Sequence, residues 1–219
     1  MNLQNYYEIY VPNEEEIAGE ELMQIRFIDT EDRKDSYRLI TGQALLDNPP
    51  ALIAEFAEDA KITNVVKPPN ETLGFIVDNK VKYILDDFKF SNQTAFYQIK
   101  IVDRRQNHFI NYHFLHYVGN LNRSIDYERS KFYVKNILSN DKREIKFTSD
   151  EERKTFCSNN IIDKVFPEII YLSNDHESRD LFKINIGRTS FIVSESLKLS
   201  LEKSGVTGVA FRDVDYLTT

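Results

Sequence analysis

A stretch of fourteen residues occurs twice in the chain, at residues 75–88 and again at residues 191–204. The copies are 116 positions apart, and five positions are identical: Phe75/Phe191, Ile76/Ile192, Val77/Val193, Lys82/Lys198 and Leu85/Leu201. Three further pairs keep similar chemistry, namely Asp78/Ser194, Val81/Leu197 and Asp86/Glu202. A single pair is too few for a repeat array and instead predicts a duplicated supersecondary unit. The chain is therefore expected to contain two pseudo-equivalent halves.

Each copy predicts a strand, a capped helix and a second strand. The apolar run Phe-Ile-Val at its start is typical of a buried strand. Asp78 or Ser194 follows, and either side chain can accept a hydrogen bond from a free amide of a first helical turn. The helix of the second copy is expected to end at Gly205, which favours the left-handed conformation of a Schellman-type stop. Because Asp78 occupies the matching position, we interpret Ser194 as a helix cap and not as a nucleophile.

The whole chain predicts an α+β fold, in which mostly antiparallel strands carry a few short helices. Alternating residues favour a long hairpin with its turn at residues 103–107, and further strands at residues 132–134, 144–147 and 167–172. Helices are also predicted from Ala51 to about Asp59 and from residue 148 to about Cys157. We expect a single domain over residues 1–219. The only candidate boundary in the sequence, near residues 119–123 and weakly marked, would divide it into halves 1–120 and 121–219.

The acidic residues are unevenly distributed along the chain. Residues 1–60 hold fourteen acidic and four basic residues, a net charge of −10, whereas the remainder has a net charge of +3. An acidic flank repels nucleic acid and attracts basic partners, although it is equally typical of a solvated surface that only aids solubility. As a binding hypothesis we select eight of these carboxylates for contact with a basic protein: Glu14, Glu15, Glu16, Glu20, Glu21, Asp29, Glu31 and Asp32.

No group of residues has the sequence pattern of a catalytic, metal or cofactor site. His108, His113 and His116 are close in sequence. In a strand, however, His113 points away from the other two, which are about 27 Å apart at ~3.3 Å per residue. Zinc ligands must instead converge on one ion at about 2.0–2.1 Å. Cys157 has no flanking histidine, and the seven glycines form no phosphate-binding pattern. We therefore predict no enzyme activity, no metal and no cofactor.

The composition favours a protein of a reducing compartment. Hydrophobic residues make up 41% of the 219 residues, enough for a substantial core. The single cysteine cannot form an internal disulfide, and no apolar run approaches the length of a membrane span. The N-terminus does not resemble a signal peptide. We expect a cytoplasmic protein whose partner is neither a membrane nor a nucleic acid.

The C-terminal motif resembles a family of bacterial immunity proteins from polymorphic toxin systems, the family typified by a myxobacterial protein. The resemblance rests on Ser194-Glu195-Ser196-Leu197-Lys198 and on Ser204-Gly205-Val206-Thr207-Gly208-Val209-Ala210-Phe211. Further similarity is carried by Leu181-Phe182-Lys183-Ile184, Asp126-Tyr127-Glu128-Arg129-Ser130 and Phe96-Tyr97, so that it covers roughly residues 73–211. The family's ordinary Glu-Arg after the capping serine is Glu195-Ser196 here, and its tryptophans are absent.

This resemblance implies a protein that binds and neutralises a cognate toxin without performing catalysis. Such a toxin domain would be basic if the acidic N-terminal residues help to dock it. Two alternatives come from other functional classes. One is an adaptor or scaffold protein whose partner is unrelated to toxins, and the other is an enzyme with an unfamiliar site. Genomic neighbourhood separates the first of these from the immunity reading, because an immunity gene is expected directly downstream of a toxin gene.

Overall fold

The computed structural model describes residues 5–12, 24–29, 44–49, 52–68, 74–90, 94–173 and 179–218. These residues form three α-helices and fourteen strands in mostly antiparallel sheets, which confirms the predicted α+β fold. The helices are α1 (Asn79–Leu85), α2 (Asp150–Asn159) and α3 (Glu195–Lys203). The strands are β1 (Tyr6–Tyr10), β2 (Ile25–Asp29), β3 (Leu52–Phe56), β4 (Val65–Val66), β5 (Gly74–Val77), β6 (Thr94–Asp103), β7 (His108–Tyr117), β8 (Lys131–Asn136), β9 (Lys142–Ile145), β10 (Asp163–Tyr171), β11 (Leu181–Ile186), β12 (Arg188–Ser194), β13 (Ala210–Asp213) and β14 (Leu217–Thr218).

Both copies of the repeated stretch form the predicted strand and capped helix. The Asp78 carboxylate accepts a hydrogen bond from the amide of Val81 at 2.9 Å, and the Ser194 hydroxyl accepts one from the amide of Leu197 at 3.3 Å. These bonds satisfy a free amide in the first turn of α1 and of α3. After α3, Gly205 has a φ of 61°, and the next amide donates back to the Leu201 carbonyl at 3.1 Å, which completes the Schellman stop.

The helix predicted from Ala51 to about Asp59 is wrong, because the structure has strand β3 there. Leu52, Ala54 and Phe56 are buried and alternate with half-buried residues, a period of two that fits a strand. The prediction relied on apolar spacing at Leu52, Ile53 and Phe56 over a segment too short to separate the two periods. The parallel neighbour β6, which supplies backbone partners along the whole of β3, decides the outcome.

The strands form three sheets. One has six strands in the order β2-β3-β6-β7-β5-β4. The other two have four strands each, in the orders β11-β12-β1-β13 and β14-β10-β8-β9. Within the part of the chain that the structure describes, no helix is long and apolar enough to cross a membrane.

The two four-stranded sheets together reproduce the six-stranded sheet. Reading β8-β10-β14 and then β13-β1-β12-β11 matches β2-β3-β6-β7-β5-β4 strand for strand, with β13 and β14 in the place of the long strand β6. Orientations agree as well: β3 is parallel to β6 and β10 is parallel to β14, whereas every other pair in both series is antiparallel. Strand β9 is an addition beside β8. The duplication therefore extends well beyond the fourteen residues that reveal it in the sequence.

Equivalent hydrogen bonds in the two halves keep the same offset. The amide of Asp78 donates to the carbonyl of Asn64 at 2.9 Å, and the amide of Ser194 donates to the carbonyl of Asp180 at 2.9 Å. Asn64 and Asp180 are again 116 positions apart. Their side chains also bond the two caps, from the Asn64 amide to Asp78 at 2.7 Å and from the Ser194 hydroxyl to Asp180 at 2.6 Å. In each half, the N-cap residue of the helix is thus bonded to the residue directly before β4 or β11.

If the chain is divided at the turn between β6 and β7, each half begins with a strand, β1 or β7, and the halves exchange these two strands. Strand β1 precedes β2 in sequence, yet it pairs with β12 and β13 of the other half. Strand β7 precedes β8, yet it pairs with β5 and β6. Each half thus completes its sheet with the strand that opens the other half, as the protomers of a domain-swapped dimer do. The exchange ties residues on both sides of the middle of the chain into each sheet.

The two copies of the unit pack against each other in one apolar cluster. The rings of Phe75 and Phe191, which are equivalent positions, lie 4.8 Å apart between centroids. The same cluster contains the buried core residues of both strands and both helices: Val77, Val81, Leu85, Val193, Leu197 and Leu201. The repeated residues therefore stabilise the join between the halves.

Candidate interaction surface

The acidic residues selected from the sequence can be placed only in part. Seven of the eight, Glu14, Glu15, Glu16, Glu20, Glu21, Glu31 and Asp32, lie outside the described residues. Asp29 is the last residue of β2, opposite Ile53 of β3 in the ladder register. Strand β2 is an outer strand of the six-stranded sheet. Residues 14–35, which we call the acidic segment, therefore include this outer strand.

An open cleft of about 770 Å³ lies beside this edge, where β3 and β6 end. Its charged wall combines four carboxylates with three guanidinium groups. The lining residues are Arg26, Glu55, Phe56, Ala57, Glu58, Asp59, Asp103, Arg104 and Arg105. We call this the acidic-edge cleft. Because β3 and β6 run parallel, Glu55 and Asp103 lie at the same end of the sheet, where both strands have their carboxyl ends.

Two of the guanidinium groups in the acidic-edge cleft are already paired. Arg104 forms an ion pair with Glu55. Arg105 donates from its backbone amide and from Nε to Oδ1 of the buried Asp103, at 3.1 and 3.0 Å. The side-chain hydrogen bond from Arg105 is the main cause that lowers the pKa of Asp103, so this carboxylate stays charged at neutral pH. Its other oxygen, Oδ2, is buried without a hydrogen-bond partner among the described residues.

Glu58 is an exposed acid of the acidic-edge cleft, and within the described residues it forms neither a hydrogen bond nor an ion pair. It is therefore available to a cationic side chain from outside. The cleft can therefore attract a basic group at this position. Its carboxylates are either paired with arginine or open to solvent. The described residues show no nucleophile beside them.

The three clustered histidines have three different environments. His108 is exposed, and Nε2 of His113 lies 2.7 Å from Oδ1 of Asn79. His116 is fully buried between the rings of Tyr97 and Phe114. Over the described ranges, no three His, Cys, Asp or Glu side chains come together in a way that could hold a metal ion.

The side chains of the two other candidate nucleophiles, Ser194 and Cys157, contribute to the fold. The buried Ser194 hydroxyl donates to Asp180 and accepts from the amide of Leu197, so both of its hydrogen-bonding roles are used in starting α3. Cys157 is half-buried and packs against the apolar cluster that contains Phe147. The capping interpretation of Ser194 is confirmed.

We expect the buried His116 to make the protein less stable in weak acid. Burial, reinforced by the charge of Lys183, lowers the pKa of His116 to about 4. As the pH falls from ~6.5 to ~4, His116 is protonated in the unfolded chain but stays neutral in the folded chain. The free energy of unfolding therefore decreases over this range. At 1.36 kcal/mol per pKa unit, this range corresponds to roughly 3 kcal/mol of unfolding free energy. Urea denaturation at pH values across this window measures it.

A His116→Phe variant isolates this contribution, because carboxylates such as Asp103 also respond to acid. The free energy of unfolding of the wild type should decrease relative to that of His116→Phe as the pH falls, because only the wild type contains the buried imidazole. His108→Gln, at an exposed position, serves as the matched control and should follow the wild-type curve. Parallel curves for wild type and His116→Phe would contradict the prediction.

One surface feature was not predicted from the sequence. Ile137, Leu138, Ile161 and Ile162 are all exposed at one end of the β8–β10 ladder, and we call them the aliphatic tip. The signal was present as two apolar pairs, each beside turn-forming residues: Ser139-Asn140 in one case and Asn159-Asn160 in the other. Without the ladder, nothing in the sequence brings the two pairs together.

No protein-family model matches the chain, and no curated protein matches it either.

Proposed function

We propose that this chain is an immunity protein that binds a cognate bacterial toxin domain and neutralises it by stoichiometric contact in the cytoplasm. The observation that carries the proposal is the concentration of acidic residues in the first sixty positions of the chain. Residues 1–60 have a net charge of −10, they include β2 and β3, and the acidic-edge cleft opens beside these strands. This edge is suited to a basic protein surface, and the resemblance to immunity proteins supplies the class of partner.

The electrostatic arrangement favours rapid capture. A surface patch of one sign raises the rate at which an oppositely charged protein is encountered, and the effect weakens as salt increases. Glu58 is exposed, and the described residues leave it without a counter-charge, so it contributes to such a field. Fast association matters for a protein that must reach its toxin before the toxin reaches its target. The toxin is expected to be basic, as a nuclease-like domain would be.

Charge reversal in the acidic segment is expected to slow toxin binding. The triple variant Glu14→Lys, Glu15→Lys, Glu16→Lys should lower the association rate constant by about tenfold or more at low salt, because steering accounts for such factors. The control is Glu128→Lys, Glu151→Lys, Glu168→Lys, three exposed residues of the second half, which changes the net charge by the same amount. The control should change the rate by no more than about twofold, since only local charge steers docking.

Stopped-flow or surface-plasmon measurements against the toxin domain encoded beside this gene provide the rates. Equal slowing by both triple variants would show that only the overall charge matters, and an unchanged rate for the first would remove the acidic edge from the interface. Co-expression tests the function itself. The chain should restore growth to cells that produce the toxin domain, and failure to do so would overturn the immunity proposal.

A further inference from the structure

The outer face of the β9-β8-β10 sheet carries a row of three lysines. Lys164 of β10 lies opposite Lys135 of β8, and Lys135 lies opposite Lys142 of β9. All three side chains are exposed, whereas the neighbouring pair Val134 and Val165 is buried on the other face. Like charges in directly opposed positions repel each other. We call this set the lysine row.

No member of the lysine row forms an ion pair within the described residues, and the Nζ of Lys142 lies over the ring of Tyr133 at 3.8 Å from the centroid. Two nearby acids are engaged: Asp163 binds Arg143 at 3.2 Å, and Asp141 accepts from the Ser139 hydroxyl at 2.6 Å. Glu144, opposite Tyr133, is an exposed acid on the same face. The three lysines outnumber it, so the face keeps an excess of positive charge.

The aliphatic tip continues the same ladder beyond the lysine row. The amide of Ile137 donates to the carbonyl of Ile162 at 2.9 Å, which places these residues side by side two positions past Lys135 and Lys164. Ile137 and Ile162 are about half exposed, and the adjacent residues Leu138 and Ile161 are 75% and 85% exposed. Four adjacent large aliphatic side chains in water are uncommon unless something covers them.

Against the expectation from the sequence that no membrane is a partner, we propose that this end of the molecule docks on an anionic membrane surface, with the aliphatic tip inserted among the lipids and the lysine row at the level of the phosphates. Two residues along a strand span about 7 Å, and apolar faces of interfacial segments enter the boundary between headgroups and acyl chains by about 5–10 Å. The spacing of the two features therefore matches the spacing of the two layers that they would contact.

The shape of the site favours a lipid surface over a protein partner. The aliphatic side chains are exposed on two turns at the end of a sheet, so a protein would need a matching pocket to cover them, whereas a fluid bilayer needs none. The net charge of −7 does not prevent docking. At physiological ionic strength, charges farther than about 8 Å are largely screened, so the lysine row determines the local attraction.

Co-sedimentation of the full chain with lipid vesicles tests the proposal. We expect binding to vesicles of phosphatidylglycerol and phosphatidylcholine in equal parts, weakening with salt, and little binding to phosphatidylcholine alone. Leu138→Asp with Ile161→Asp should reduce binding by about tenfold or more, because charged side chains cannot enter the acyl layer. Lys135→Glu with Lys164→Glu should act similarly. The matched control, Lys80→Glu with Lys203→Glu, changes two exposed helix residues and should bind like wild type.

A second measurement reports on insertion itself. The chain contains no tryptophan, so Leu138→Trp introduces a single emitter at the tip and Leu199→Trp a single emitter on exposed α3. The emission of Leu138→Trp should shift to the blue on anionic vesicles, and that of Leu199→Trp should not. Failure of the wild type to bind anionic vesicles would overturn the proposal. So would equal binding by the tip variant, which would assign the contact to another surface.

Discussion

A chain that lacks residues 1–12 is expected to lose cooperative folding of its second half. The deletion removes β1, which lies between β12 and β13, and with it the buried residues Tyr6, Ile9 and, directly after the strand, Val11. Burying such a side chain is worth about 1.5–3 kcal/mol, so the three together contribute roughly 5–9 kcal/mol. Since domains are stable by only about 5–15 kcal/mol, this loss is comparable with the whole stability. Circular dichroism and urea unfolding of the shortened and full chains measure it.

The vacated slot should also be refilled from outside. A synthetic peptide of residues 5–12 offers the same backbone partners to β12 and β13, and adding it is expected to restore the folded signal of the shortened chain. The same peptide with Ile9→Asp would place a charge in the apolar cluster and should fail. If the shortened and full chains unfolded at the same urea concentration, the expectation that β1 stabilises the second half would be contradicted.

Replacing Asp150 by alanine is expected to lower the free energy of unfolding by about 3–5 kcal/mol, the usual result of leaving a buried charge without its partner. Asp150 is 3% exposed and forms ion pairs with Arg153 and Lys154, both at 2.7 Å. It also accepts from the Tyr127 hydroxyl at 3.0 Å. Because Arg153 is itself buried, the variant strands a guanidinium in the core. Urea denaturation at neutral pH gives the difference.

Acid should weaken this site in the wild type. Burial alone would raise the pKa of Asp150, but the hydrogen bonds from Lys154 and Arg153 outweigh it and hold the pKa below its ordinary value. The carboxylate's contribution is therefore complete at neutral pH and lost as the pH falls through that lowered pKa. Asp86→Ala, which removes an exposed pair with Lys82, is the matched control and should cost less than about 1 kcal/mol. Similar losses in the two variants would contradict the special role of Asp150.

The local elements were largely predictable from the sequence because their signals are local. Asp78 and Ser194 were recognised as caps from their position between an apolar run and a helical spacing, and Gly205 from its place at a helix end. Residues 51–59 were misread because a five-residue strand beside a parallel neighbour shows the same apolar content as a short helix. There the tertiary partner, β6, outweighs the local pattern.

The long-range arrangement could not be read from the sequence. In the ladders, Tyr7 of β1 takes the place that His113 takes in β7, opposite equivalent valines, yet the two strands share little sequence. Their exchange therefore leaves no trace in the repeat. The aliphatic tip, and the pairing of Lys135 with Lys164 in the lysine row, likewise arise from neighbours on β8 and β10 that are 25 to 29 residues apart in the chain. The acidic segment, by contrast, was visible from charge alone.

The exchanged strand has a consequence for synthesis on the ribosome. The partners of β1, strands β12 and β13, are made about 180–200 residues after it. At roughly 5–20 residues per second, β1 must wait on the order of 10–40 s before it can pair. The six-stranded sheet contains no such long interval between the synthesis of paired strands. A nascent chain therefore carries an unpaired aromatic strand until β12 and β13 have been made, a period in which chaperones or neighbouring nascent chains can engage it.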